Sequence, residues 1–133
     1  MKVKSRIIED EVYESVNENG NTALIDMRSA ELKQNQSPVE MLLSALNACA
    51  AVDVVLMLRK KRKTIKNLEI EADGERNEEP PRYFKKIHCH FVLESPDTSK
   101  EDLYKVTKLA VEKYCSVASS LKSEVTFSVE VKN

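Results

Sequence analysis

Three cysteines, Cys49, Cys89 and Cys115, are the residues of this chain best suited to chemistry. A thiolate is a strong nucleophile, and two thiols brought together form a redox pair. Cys49 lies mid-way along an apolar run from Met41 to Leu58 in which only Ser44, Asn47 and Asp53 are polar. Cys115 lies in Tyr114-Cys-Ser-Val117, near the end of a second helical pattern. If the two helices pack together, one thiolate can attack a peroxide and become a sulfenic acid, with which the second condenses. The bland reading competes: free cysteine often only fills space in a core. Spacing alone leaves both open.

Cys89 sits between His88 and His90. On a strand the two imidazoles share one face, and such a pair can begin a metal site. No third histidine exists, and Cys89 points to the opposite face. Solvent-facing histidines on a sheet explain the pattern equally well, so no metal or other cofactor is expected.

The composition narrows the function classes. The 133 residues carry 21 Lys and Arg against 22 Asp and Glu, a net charge of −1. Phosphate binding wants a basic surface, so nucleic acid is not expected as a partner. Gly20 and Gly74 are the only glycines, and neither a dinucleotide fingerprint nor a P-loop can be written with two. The first ten residues, mostly charged, do not read as a secretory signal. With an odd number of cysteines and no CxxC, a reduced, cytoplasmic protein is expected.

The elements that must hold the cysteines are legible. Ile7-Ile8, Tyr13–Val16 and Thr22–Met27 read as short strands, with Asn17-Glu-Asn-Gly20 as a hairpin turn. Residues 28–37 read as a loop. Ser37, Pro38 and Glu40 form the start of a helix, with Ser37 and Glu40 spaced as a capping box. The helix closes at the basic run Arg59–Lys63, favourable at the negative end of the dipole.

A membrane reading of this helix meets an obstacle. Asp53 and Asn47 would sit deep in lipid, and a central Asp costs about 2.5–3.5 kcal/mol on insertion scales. A helix apolar on nearly all sides is better read as buried within a domain or a dimer. No membrane partner is expected.

Leu68–Ala72, Phe84–Leu93 and Val125–Val131 alternate as strands; Ile87, Cys89, Phe91 and Leu93 share one face. Ser99 with Asp102 resembles a weaker capping box. Leu103, Val106, Ala110, Tyr114, Val117 and Leu121 form one helical stripe. No repeat or linker interrupts the chain, so one α+β domain over 1–133 is expected.

Two segments carry a family resemblance. Ser37-Pro-Val-Glu-Met-Leu-Leu-Ser-Ala-Leu-Asn-Ala-Cys49, followed by Ala-Ala-Val-Asp-Val54, resembles the first-cysteine helix of the OsmC/Ohr family (osmotically inducible protein C and organic hydroperoxide resistance). Lys113-Tyr-Cys-Ser-Val117, followed by Leu121 and a terminal strand, resembles its second-cysteine motif. The order of elements fits as well. The resemblance implies an OsmC-like fold, with antiparallel sheets around two central cysteine-bearing helices. It implies an intertwined homodimer with active sites at the subunit interface. It further implies a thiol peroxidase that reduces organic hydroperoxides to alcohols, re-reduced by a small or lipoyl-type dithiol. Carried over, Cys49 is the peroxidatic nucleophile and Cys115 the resolving thiol. The alternative is a dimeric binding or scaffold protein of the same fold with inert, buried thiols.

The chain also departs from the hydroperoxide-resistance branch and sits better with an OsmC-like one. In that branch a Glu directly follows the helix-start proline and an Arg comes from the N-terminal hairpin. Here Val39 follows Pro38, and Glu40 comes one place later. One residue turns a helical side chain by about 100°. Arg28 is the nearest substitute for the missing Arg, and its bland reading is a solvated loop charge. Glu40 and Arg28 complete the candidate catalytic set. Asp53, one turn on from Cys49, disfavours a thiolate there. A cation within reach of Asp53 or Cys49 is therefore expected.

Overall fold

The alternation written into the chain becomes two three-stranded sheets. The structure, a computed structural model, describes all residues from Met1 to Asn133. Their contacts divide the chain into two units, Met1–Leu42 and Leu43–Asn133.

The first unit is an antiparallel meander of β1 (Val3–Glu9), β2 (Val12–Asn17) and β3 (Thr22–Asp26). Gly20 turns β2 into β3 in the left-handed region that glycine tolerates, at φ 84°. The Asn17 side chain accepts from the amides of Asn19 and Asn21 and closes that turn. The β1–β2 turn instead places Glu11 at φ 62°, with no Gly or Asn to announce it. Every residue of β1 is exposed, and apolar Val3, Ile7, Leu24 and Leu32 face outward. An isolated three-stranded sheet is stable only when an apolar face is covered.

The long helix α1 (Pro38–Lys60) begins in the first unit and continues through the second. Ser37 Oγ accepts the Glu40 amide at 3.3 Å, and the Glu40 carboxylate accepts the Ser37 amide at 3.0 Å. The capping box read from the sequence is therefore formed on both sides. Leu46, Ala50, Val54 and Leu58, spaced by four, are the buried stripe. Val52 is 58% exposed and Leu56 52% exposed. A single chain thus buries only one face of a helix whose apolar residues extend around it. By length and composition α1 also satisfies the dimensions of a membrane span.

The second unit holds β4 (Asn67–Arg76), β5 (Phe84–Glu94) and β6 (Glu124–Lys132), in the order β4-β5-β6. β4 and β5 run antiparallel; β5 and β6 run parallel. The parallel pairing requires a crossover, which α2 (Lys100–Leu109), a π-turn (Ala110–Tyr114) and α3 (Ser116–Ser119) supply. Ser99 caps α2 by accepting the Asp102 amide at 3.0 Å. Ile87, Cys89, Phe91 and Leu93 are all buried on one face of β5, as the alternation predicts. They share the core with Leu103, Val106 and Ala110 from the crossover. The α+β architecture and element order are as expected, but the second sheet is mixed rather than antiparallel throughout, because the helical crossover returns β6 parallel to β5.

One expectation fails here. The stripe from Leu103 to Leu121 reads as a single helix, but the helix breaks before Cys115. The Cys115 amide bonds back five residues to the Ala110 carbonyl, at 2.8 Å. That extra residue in the turn rotates everything after it, so Tyr114 is exposed rather than buried.

Gly74 faces the Phe84 ring. A Cβ built there would stand 2.5 Å from Cε1 of Phe84, and Phe84 is itself buried. Gly74→Ala must displace that ring, so a destabilisation of about 1–3 kcal/mol is expected from overpacking. A urea unfolding midpoint unchanged by the substitution would show that the ring moves freely.

Candidate functional site

The break before Cys115 positions the second thiol. Cys115 itself is extended, at φ −69° and ψ 109°, and serves as the N-cap of α3. Its Sγ accepts the Ala118 amide at 3.4 Å. Nothing of Cys115 is exposed. π-turns recur at functional sites because one inserted residue re-aims a side chain.

Cys49 comes from α1 and is half-buried. Its side chain neighbours that of Cys115, distant in sequence, closely enough to perturb the Cys115 thiol. Burial pushes the Cys115 thiol above its ordinary range. Neighbouring Cys49 pushes the same way, while the Ala118 and Val117 amides oppose. Cys115 is thereby held in the thiol form. The fold thus brings together the two cysteines singled out from sequence.

The third thiol, Cys89, lies on the inner face of β5 with no exposed surface. Burial, and secondly the nearby Cys115, push it up to about 11. At neutral pH it is a protonated, inert core side chain. Its neighbours His88 and His90 lie on the opposite, outer face. His88 bonds Thr126 Oγ1 at 2.7 Å and Ser128 Oγ at 2.8 Å; His90 bonds Ser128 Oγ at 2.6 Å. These hydroxyls from β6 occupy three of the four ring nitrogens and stitch β5 to β6. No group of three metal-ligating side chains gathers anywhere in the chain.

Asp53 does not meet the expectation of a cationic partner. It is half-buried on α1, and no Lys or Arg of the second unit forms an ion pair with it. Asn47, nearer the start of α1, donates to the Ile70 carbonyl at 3.3 Å and anchors α1 to β4.

Within the first unit, Arg28 and Glu40 have defined partners of their own. Arg28 grips Asp26 with two prongs: Nε to Oδ1 at 3.0 Å and Nη2 to Oδ2 at 2.6 Å. Asp26, at the end of β3, is entirely buried. It also accepts the amides of Arg28, Gln34 and Asn35, so the loop of residues 28–36 is wound around one carboxylate. Those bonds, the Arg28 side chain first, hold the Asp26 carboxyl well below the usual range despite burial. The reading of Arg28 as a solvated loop charge is corrected: its side chain is 20% exposed and fixed by a planar fork. Arg28 Nη1 also lies 3.9 Å from Glu9.

Sequence reasoning missed Asp26. The available signal was a lone acid closing the apolar run Thr-Ala-Leu-Ile, two places before an arginine. Glu40 is occupied by the helix cap, and the Ser37 amide holds its carboxyl below the usual range. It also lines an open cleft of about 730 Å³ with Leu24, Lys33, Gln36 and Met41.

Comparison with known proteins agrees with this arrangement. Residues 32–130 match the family model described as OsmC-like protein. Protein YhfA of Escherichia coli K12 is 35% identical over 133 residues, covering 98% of each chain. Among solved structures, an OsmC-like protein from Mycoplasma pneumoniae superposes with a TM-score of 0.86 at 21% identity, over 99% of this chain and 96% of that one. The organic hydroperoxide resistance protein OhrB of Bacillus subtilis superposes with a TM-score of 0.64 at 18% identity, over 98% of this chain and 96% of that one. Likeness at those identities speaks for the fold. With a matched family model, a full-length relative and two facing cysteines on the expected elements, the chain belongs to the OsmC-like family.

Proposed function

We propose that this protein is a thiol-dependent peroxidase that reduces organic hydroperoxides to alcohols. The observation that carries this reading is the neighbouring Cys49–Cys115 pair, with Cys49 half-buried and Cys115 enclosed. The Cys49 thiolate attacks the distal peroxide oxygen. The O–O bond breaks, the alkoxide leaves and takes a proton as the alcohol, and Cys49 becomes a sulfenic acid. Cys115 attacks that sulfur, hydroxide leaves as water, and a disulfide closes. A thiol reductant then returns two electrons. The partners are thus an organic hydroperoxide, a dithiol and a second copy of the chain. Residues 1–133 act as one functional domain, in the cytoplasm.

The homodimer reading rests on the surface that one chain leaves uncovered. Val52 and Leu56 on α1 expose apolar area, and so, within the first unit, do Val3, Ile7 and Leu32. Burying such area contributes about 25 cal/mol per Å².

Treating the protein with cumene hydroperoxide is expected to consume two thiols per chain, leaving Cys89 free. Survival of all three thiols, with the peroxide unconsumed, would favour the alternative. That alternative is a dimeric binding protein with inert thiols, and unpaired Asp53 speaks for it.

Arg28 and Glu40 are assigned supporting roles in the same reaction. Glu40→Gln separates the cap from any need for a carboxylate, because a Gln oxygen still accepts the Ser37 amide. The expected result is an unchanged Tm. A fall in kcat/KM at that unchanged Tm would assign Glu40 to the chemistry; unchanged activity would confine it to the cap.

A further inference from the structure

The disulfide of the proposed cycle has two sulfurs, and a reductant must choose one. The structure treats them unequally. Cys115 has no exposed surface, whereas Cys49 is only half-buried. The Cys115 sulfur is also the one that already accepts a backbone hydrogen bond, from the Ala118 amide at 3.4 Å. That amide is held rigidly, because the π-turn bond from the Cys115 amide to the Ala110 carbonyl (2.8 Å) and the bond from Ser119 to the Cys115 carbonyl (3.0 Å) fix the backbone on both sides.

We propose that reduction is directed: the reductant attacks Cys49, and Cys115 is the leaving sulfur, with the Ala118 amide acting as its positioning donor. This rests on the peroxidase reading and supplies its reductive half. The step balances. A reductant thiolate forms a new S–S bond to Cys49 Sγ, the Cys49–Cys115 bond breaks, and its electron pair goes to Cys115 Sγ. A second thiol of the reductant then resolves the mixed disulfide and frees Cys49.

Exchange rates depend on which sulfur is accessible and on how well the departing one bears charge. A donor aimed at the atom where charge develops is worth most in a water-poor site. Burial works against charge on Cys115, so the amide matters more there than it would in water. Attack on Cys115 would require the turn to open first and would leave Cys49 as the departing group, one helical turn from Asp53. Access therefore favours attack on Cys49, and the Ala118 amide offsets the burial that works against charge on Cys115. Cys89 is not a competing route, since it is enclosed and protonated.

The test uses the full chain. The disulfide is formed with cumene hydroperoxide in one sample and with diamide in another. Each is challenged briefly with limiting glutathione, alkylated and peptide-mapped. Glutathione is expected on Cys49 and the alkyl label on Cys115. Glutathione on Cys115, or equally on both, overturns the proposal. A bridge that closes with diamide but not with peroxide ends the peroxidase reading, and the same map still decides the direction of exchange. A bridge that closes with neither ends both. Ala118→Pro removes the amide donor, and its rate of reduction by glutathione is expected to fall about tenfold, with two thiols still lost on oxidation. An unchanged rate assigns the amide to structure alone. If that variant does not fold, the wild-type map is decisive by itself.

Discussion

Cys49→Ser is expected to abolish peroxide turnover, by at least about a thousandfold in kcat/KM. A serine hydroxyl at the same place is not ionised near neutral pH and cannot stand in for a thiolate as nucleophile. Nor can Cys115 replace it, because its thiol is enclosed and held protonated by burial. Cys89 is further removed from the task, at about 11 and fully buried. Cys115→Ser should behave differently. It keeps the attacking thiol, so one equivalent of peroxide per chain is consumed and the product is a sulfenic acid that dimedone labels. Sustained turnover is lost because no bridge can close. Turnover equal to wild type in Cys49→Ser would move the chemistry to another residue and return the protein to the binding-module reading.

Asp26→Ala should be the most destabilising substitution in the first unit, lowering Tm on the order of 10 °C or more. It strips the fork of Arg28 and leaves that guanidinium 20% exposed without its carboxylate. It also orphans the amides of Gln34 and Asn35, which have that carboxylate as acceptor. Breaking one partner of an enclosed pair costs more than the pair itself contributes. The pH dependence follows in sign. Asp26 has a lower value folded than its ordinary 3.8. The stability it confers is therefore complete above pH 4 or so and drains away as the solution is acidified through and below that value. Asp26→Asn should flatten this acid limb. A wild-type and variant limb that coincide would show the bond network to be idle.

Because loop residues 28–36 are wound on Asp26, this substitution also tests Arg28. If Arg28 supports the reaction, Asp26→Asn should lower kcat/KM under conditions where the protein remains folded. If Arg28 only holds the loop, activity per folded molecule should stay level.

The parts of the molecule legible beforehand are those governed by local rules. Ser37-Pro-Val-Glu40 announces its helix because a cap, a fixed φ and a returning carboxylate act within four residues, and the bonds of 3.0 and 3.3 Å bear this out. Ile87, Cys89, Phe91 and Leu93 fall on one buried face because a strand alternates with period two. Ser99 caps its helix for the same local reason. The helical stripe misled at Cys115, since a one-residue π insertion leaves no mark on hydrophobic spacing. Asp26 was silent too. Its partners are amides and a guanidinium delivered by a loop, and side-chain spacing carries no trace of backbone donors. Arg28 was visible, but not the burial that fixes it.

By itself the amino-acid order determined the helix that carries Cys49, the strand faces, the family, and which two thiols to watch. Local propensity and periodicity suffice for the helix and the strand faces; the family and the thiol pair came from the resemblance of two motifs. Only the folded chain decided that the two cysteines are neighbours, that one is sheltered and bonded to an amide while the other is half-buried, and that Asp53 finds no cation in its own unit. Those facts depend on where distant segments come to rest and on how much water is left around them, and neither quantity is a property of neighbouring residues.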